Sequence, residues 1–192
     1  MVLGLTGFSG TGKSTVAAYL AEKGFYHIDC DRLVHQEVYR DQAVLSSIAA
    51  AFGAEMVENG QLNRAALRQI TFGDPAATAR LNQVVMPHIL AAIEGVLEAH
   101  KGEPVVLDAP LLFEYGLEKK CDRTISVIAA EETAVHRIMA RDHLSEADAR
   151  KRLSSQHPAA YYAAKSDFLI ENDQDAEQLK KRIREVLSAI YD

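Results

Sequence analysis

Gly7-Phe8-Ser9-Gly10-Thr11-Gly12-Lys13-Ser14 is the stretch that decides the fold. It has the spacing G-x-x-x-x-G-K-[ST] with no mismatch. Its glycines let the backbone turn so that several N–H groups point into one hollow. A helix that follows sets its positive dipole end at the same point. Lys13 then reaches the β- and γ-phosphates of a nucleoside triphosphate, Ser14 holds Mg2+, and Thr15 faces the α-phosphate. The bland alternative is a glycine-rich turn that happens to carry Lys and Ser. The flanks weigh against it. Residues 2–6 are a short apolar run, which predicts a buried strand. Residues 14–23 carry Val16, Ala17, Leu20 and Ala21 at helical spacing, with Gly24 as the stop.

Outward from the loop, further apolar runs at 25–28, 104–107, 124–128 and 168–170 predict four more strands. Helical patterns fill 131–142, 145–155 and 175–191. Strands separated by helices favour an α/β fold with a parallel sheet. Residues 32–100 are mostly helical in pattern, punctuated by Gly53, Asn59-Gly60, Gly73-Asp74-Pro75 and Pro87. That span is too long for a simple crossover, so it predicts an inserted helical subdomain.

The chain has 192 residues, 48% hydrophobic and 25% charged. Such a chain buries about 70% of its unfolded surface and needs no staple. Disordered, collagen-like and disulfide-scaffold classes are excluded. With 21 Lys+Arg against 27 Asp+Glu, the formal charge is -6, which opposes general nucleic-acid binding. Cys30 and Cys121 form no CxxC pair, so a reducing, cytoplasmic setting is the expectation. The amino terminus lacks the pattern of a signal peptide. No window approaches 18 uninterrupted apolar residues, so no membrane span is expected.

Asp29 and Asp31 stand two apart at a strand end. In an extended backbone their side chains face the same way. A carboxylate there, where α/β sheets place ligands, can take a proton from a sugar hydroxyl. The alternatives are a solvated loop with Asp31 capping the next helix, or Asp29 near a magnesium shell. Asp108 closes Val105-Val106-Leu107 and is either a Mg2+-binding acid or an ordinary strand-to-loop aspartate. Arg137 and Arg141 share a helix face and gain from an anion between them; a helical hairpin carrying them can close on a phosphoryl group. Surface pairing with Glu132, Asp142 and Glu146 is the plainer reading. His27 reads as a core or lining residue. Tyr161-Tyr162 reads as helix packing rather than a base-stacking platform.

Taken together, these segments resemble the dephospho-coenzyme A kinase family over essentially the whole chain. The opening GLTGFSGTGKSTVA is similar to that family's start. HIDCDRLVHQ resembles its DAD motif, with Cys30 for alanine. Asn63-Arg64-Ala65-Ala66-Leu67, Leu81-Asn82, Pro87-His88-Ile89 and the PLLFE run ending at Glu114 also resemble family segments. So do Arg137-x-x-x-Arg141-Asp142, Arg150, Gln156 and Asp167–Asn172. Met86 and Asn172-Asp173-Gln174 depart from the usual pattern.

The resemblance implies a P-loop, nucleotide-kinase-like, five-stranded parallel sheet flanked by helices. It implies a core at 1–31, 101–130 and 165–192, a helical substrate-binding insertion at 32–100 and a lid at 131–164. The implied activity is ATP-dependent phosphorylation of the ribose 3′-hydroxyl of dephospho-CoA. Asp31 is the implied base, with Lys13 and Arg141 stabilising the transferred group. ATP is implied to rest on Gly10, Thr11, Gly12, Lys13, Ser14, Thr15, Arg137 and Asn172. Dephospho-CoA is implied at Asp29, Arg64, Leu81, Asn82, His88 and Leu111, and Mg2+ at Ser14 and Asp108. A monomer is the expected state.

Overall fold

The computed structural model describes residues 1–191. Backbone contacts divide the chain into two compact units: residues 1–28 with the chain from Gly102 onward, and residues 29–101. The elements run in the order β1 (Val2–Thr6), α1 (Lys13–Glu22), β2 (Tyr26–Asp29), α2 (Cys30–Gln36), α3 (Gln42–Phe52), β3 (Val57–Glu58), β4 (Gln61–Leu62), α4 (Arg64–Thr71) and α5 (Pro75–Ala99). They continue through β5 (Val105–Asp108), β6 (Arg123–Ile128), α6 (Glu131–Asp142), α7 (Glu146–Ser154), α8 (Ala159–Lys165), β7 (Phe168–Glu171) and α9 (Ala176–Tyr191).

Five strands form one sheet in the order β2-β5-β1-β6-β7. β1 runs parallel to β5 and to β6, and β6 parallel to β7. From β1 the chain builds toward one edge, then adds β6 and β7 on the other side. That reversal opens a crevice at the carboxyl ends of the strands, where such sheets take ligands. The register sets Leu5 opposite Asp108, so β5 ends beside the strand that feeds the glycine-rich loop. Leu3, Leu5, Val106, Ile125, Val127 and Ile170 are buried from the sheet against Val16, Ala17 and Leu20 of α1 and Leu179 and Ile183 of α9. Strands buried in this way carry continuous apolar runs, which is why they stood out in the sequence.

The second unit has its own core of Val38, Val44, Ile48, Met56, Leu67 and Val85. Its helices start on side-chain caps: Asp41 for α3, Asn63 for α4 and Asp74 for α5. Two features differ from the sequence expectation. Asn59-Gly60 closes an antiparallel hairpin of β3 and β4, with both residues at positive φ, the conformation tight hairpins require. Pro87 does not break the chain but lies inside the 25-residue α5. Neighbouring Val84, Val85, Ile89 and Ala92 are packed into the unit's core, and that burial holds the helix across the missing N–H.

A third difference concerns the aspartates. The strand stops at Asp29, and Cys30 already begins α2. Asp29 is the N-cap, its Oδ1 accepting the Arg32 N–H at 2.9 Å. Asp31, not the cap, stands in the first turn. The two side chains therefore do not share the face of an extended strand, because residues two apart on a helix diverge.

Candidate active site

The glycine-rich loop owes its shape to backbone that only glycine adopts easily. Gly10 and Gly12 have φ of +83° and +88°. α1 starts directly at Lys13 with no side-chain cap and no acid in its first turn. Its leading N–H groups are thus left for an external anion. Space is tight behind the loop as well. A Cβ at Gly10 would lie 2.5 Å from the Ala134 carbonyl oxygen and 2.9 Å from its Cα. Gly10→Ala is therefore expected to cost about 1–3 kcal/mol of stability and to weaken nucleotide binding. Urea unfolding and ATP titration of the purified variant check both.

Three side chains hold the loop from outside. Arg137 Nη1 donates to the carbonyls of Gly10 at 3.3 Å and Asn172 at 2.7 Å. The Asn172 Nδ2 donates to the Thr11 carbonyl at 2.8 Å. Gln156 Oε1 accepts the Ser9 N–H at 2.7 Å, and its Nε2 donates to Ser9 Oγ at 3.1 Å. These bonds fix the loop's peptide orientations, and the Thr11 N–H itself turns to the Phe8 carbonyl at 3.4 Å.

That hollow is a cavity of about 430 Å3. Gly10, Gly12, Lys13, Ser14, Leu111, Arg137 and Arg141 all line it, together with Gln156 and His157. Not every expected residue faces it. Thr11 is fully buried and donates from Oγ1 to the Phe8 carbonyl at 2.9 Å. Asn172 is buried behind the loop. Thr15 is exposed on α1. Arg64 opens α4, while Leu81, Asn82 and His88 lie on α5, all in the second unit with Asp29 and Asp31. Leu111 belongs to the first unit.

Beside the cavity, Lys13 of its lining meets a nearly buried acid, Asp108. Lys13 Nζ bonds Asp108 Oδ1, and His27 Nε2 lies 3.3 Å from Oδ2. The Asp108 side chain is only 7% exposed, so these partners offset most of its buried charge. On α6, Arg141 donates from Nε and Nη2 to the two Asp142 oxygens, each at 2.8 Å, and Arg152 joins the same carboxylate at 2.6 Å. The Arg141 hydrogen bonds hold the Asp142 carboxyl below its ordinary range. Arg150 is gathered by Glu131, Glu132 and Glu146. The surface pairs expected for this segment thus exist, while Arg137 and Arg141 also line the cavity.

Two contacts have no counterpart in the sequence reading. The bonds of Gln156 to the loop span 147 residues, and no local pattern signals them. His157 stacks on Tyr161 with ring centroids 3.7 Å apart and lies 3.3 Å from Glu114. Tyr162 is buried against Phe8, and burial pushes its hydroxyl up to about 12. Burial likewise pushes the Cys121 thiol up to about 12, which leaves it unreactive at neutral pH.

Comparison with known proteins agrees with this geometry. The signature of the family described as CoaE, dephospho-CoA kinase, matches residues 1–178. A dephospho-CoA kinase from Latilactobacillus sakei is 41% identical over 191 residues, covering 98% of this chain and 95% of that one. A crystal structure from Thermus thermophilus superposes with a TM-score of 0.83 at 32% identity, over 98% of this chain and 97% of that one. The dephospho-CoA kinase from Campylobacter jejuni gives 0.70 at 26% identity, over 98% and 96%. With a phosphate loop so anchored and a family signature over residues 1–178, the chain belongs to the dephospho-CoA kinase family.

Proposed function

We propose that the chain transfers the γ-phosphoryl group of ATP to the ribose 3′-hydroxyl of dephospho-CoA, with Asp31 as base and Lys13 and Arg141 as charge stabilisers. Family membership makes the chain a kinase of dephospho-CoA and a user of ATP. The reaction is the last step in making coenzyme A. The observation that carries the residue assignment is the uncapped start of α1, which opens with Lys13 beneath left-handed Gly10 and Gly12.

The triphosphate lies on the amides of residues 10–15. Lys13 exchanges Asp108 for phosphate oxygens as the nucleotide enters. Arg137 and Asn172 act through the loop they hold, and the 131–164 segment serves as lid. Arg141 leaves Asp142 to meet the transferred group, where it offsets charge that grows in the transition state. The 3′-hydroxyl gives its proton to Asp31 and attacks the γ-phosphorus in line; ADP is the leaving group. Residues 32–100 bind the acceptor.

Magnesium fits this donor set as an ion carried on the triphosphate. Among the described residues no cluster of three or more His, Cys, Asp or Glu side chains could hold a metal. Mg2+ is commonly bound by one or two protein oxygens, substrate phosphates and water. The exposed Ser14 hydroxyl would help hold the ion, as would Asp108, already paired with a cation. Bound there, magnesium would supply charge neutralisation at the phosphates.

A coupled assay for ADP decides the acceptor. Dephospho-CoA is expected to be strongly preferred over AMP, adenosine and shikimate. Turnover without that preference defeats the proposal.

A further inference from the structure

His27 reads from the sequence as a core or lining residue, and the structure gives it a sharper position. It stands on β2, the edge strand of the sheet, next to β5 and its terminal Asp108. Its Nε2 lies 3.3 Å from Asp108 Oδ2, while Lys13 Nζ bonds the other oxygen. An ionised carboxylate only accepts, so the imidazole donates from Nε2. Among the described residues these two side chains hold the acid, one on each oxygen.

The two partners differ in freedom. Lys13 opens α1 and lines the cavity. Its ammonium rides on a flexible four-carbon stem, and it is the group that passes to phosphate. His27 is a ring fixed on a strand and is not among the residues that line the cavity. When Lys13 leaves, His27 is the donor that stays.

That donor matters because the Asp108 side chain is only 7% exposed. A carboxylate so nearly buried needs a hydrogen bond at every moment of the exchange. The separation of 3.3 Å is at the outer end of the hydrogen-bond range, so the contact has room to shorten once Oδ1 is released. A second donor also draws off part of the carboxylate's charge. The acid then holds the lysine less tightly and yields it more readily to a triphosphate.

We infer that His27 is a positioning residue for the phosphate-binding lysine: it holds Asp108 through Oδ2 while Lys13 passes from that acid to the nucleotide. The inference rests on the exchange of Asp108 for phosphate oxygens put forward above, and adds to it the residue that makes the exchange reversible.

ATP titrations of His27→Leu and His27→Gln, each in the wild-type and the Asp108→Ala background, test it. The His27 side chain is 31% exposed, so neither replacement empties a core. Leucine keeps bulk and removes the donor. Glutamine keeps a donor, its amide nitrogen standing as many bonds from Cα as Nε2 does. His27→Leu is expected to raise the Kd for ATP about tenfold, the lower end for a hydrogen bond to a charged group. His27→Gln is expected to stay within about threefold of the wild type. In the Asp108→Ala background His27→Leu is expected to change the Kd by less than about twofold, because the acid through which His27 acts is gone. An unchanged Kd in His27→Leu overturns the inference. So does a glutamine variant as weak as the leucine variant, which would make the ring's shape rather than its N–H the cause. A loss that persists without Asp108 also overturns it, by making His27 a packing residue. A Lys13→Ala variant that binds ATP as tightly as the wild type would instead defeat the exchange itself, whatever the His27 variants show.

Discussion

Asp31→Asn is expected to lower kcat by at least about a hundredfold while ATP binds as it does to the wild type. General bases contribute about 10²- to 10⁴-fold, and an asparagine amide keeps the shape of the carboxylate without accepting the proton. The location of Asp31 makes the experiment clean. The residue is exposed in the first turn of α2, and the cap of that helix comes from Asp29. Replacing Asp31 therefore leaves the cap in place, whereas Asp29→Ala removes a cap worth about 1 kcal/mol. The comparison separates a chemical role from a structural one: Asp31→Asn moves kcat far more than Asp29→Ala does, and Asp29→Ala lowers the thermal midpoint through the lost cap. Wild-type turnover in Asp31→Asn would remove Asp31 as the base.

The contrast between these two aspartates also shows what the sequence could and could not reveal. A phosphate loop is written in eight consecutive residues, and its physics is local: glycines for backbone reach, a helix start for the dipole, Lys13 and Ser14 for charge and metal. The sheet was legible for a similar reason, since strands buried on both faces leave runs such as Val105-Val106-Leu107. The DxD pair was legible as a motif but not as a geometry. Where strand gives way to helix at Cys30, one residue's difference decides whether two side chains converge or diverge. The hairpin at Asn59-Gly60 is only two residues per strand, too short to show an alternating pattern.

Other features depend on distance in sequence. Gln156 reaches Ser9 across 147 residues, and His27 reaches Asp108 across 81. Nothing near either residue announces its partner. Spacing rules find pairs on one helix but not contacts between elements far apart in the chain.

Lys13→Ala is expected to reduce kcat by about a thousandfold, the upper range for removal of one charge-stabilising donor, and also to weaken ATP binding. The second effect comes from Asp108. With Lys13 present, the nearly buried carboxylate is matched by an ammonium on one oxygen and by His27 on the other. Without it, an uncompensated anion is left where the Lys13 ammonium stood, next to the phosphate loop, and a buried charge stripped of its partner is strongly unfavourable. Adding Asp108→Ala to Lys13→Ala removes that anion. The double variant is expected to regain much of the ATP affinity and none of the lost kcat, because the cation needed at the transferred group is still missing. ATP titrations and single-turnover rates on wild type, both single variants and the double variant separate the two roles as a cycle. A double variant that binds ATP no better than Lys13→Ala would show that Asp108 does not repel the nucleotide. An undiminished kcat in Lys13→Ala would show that the loop binds phosphate without taking part in its transfer.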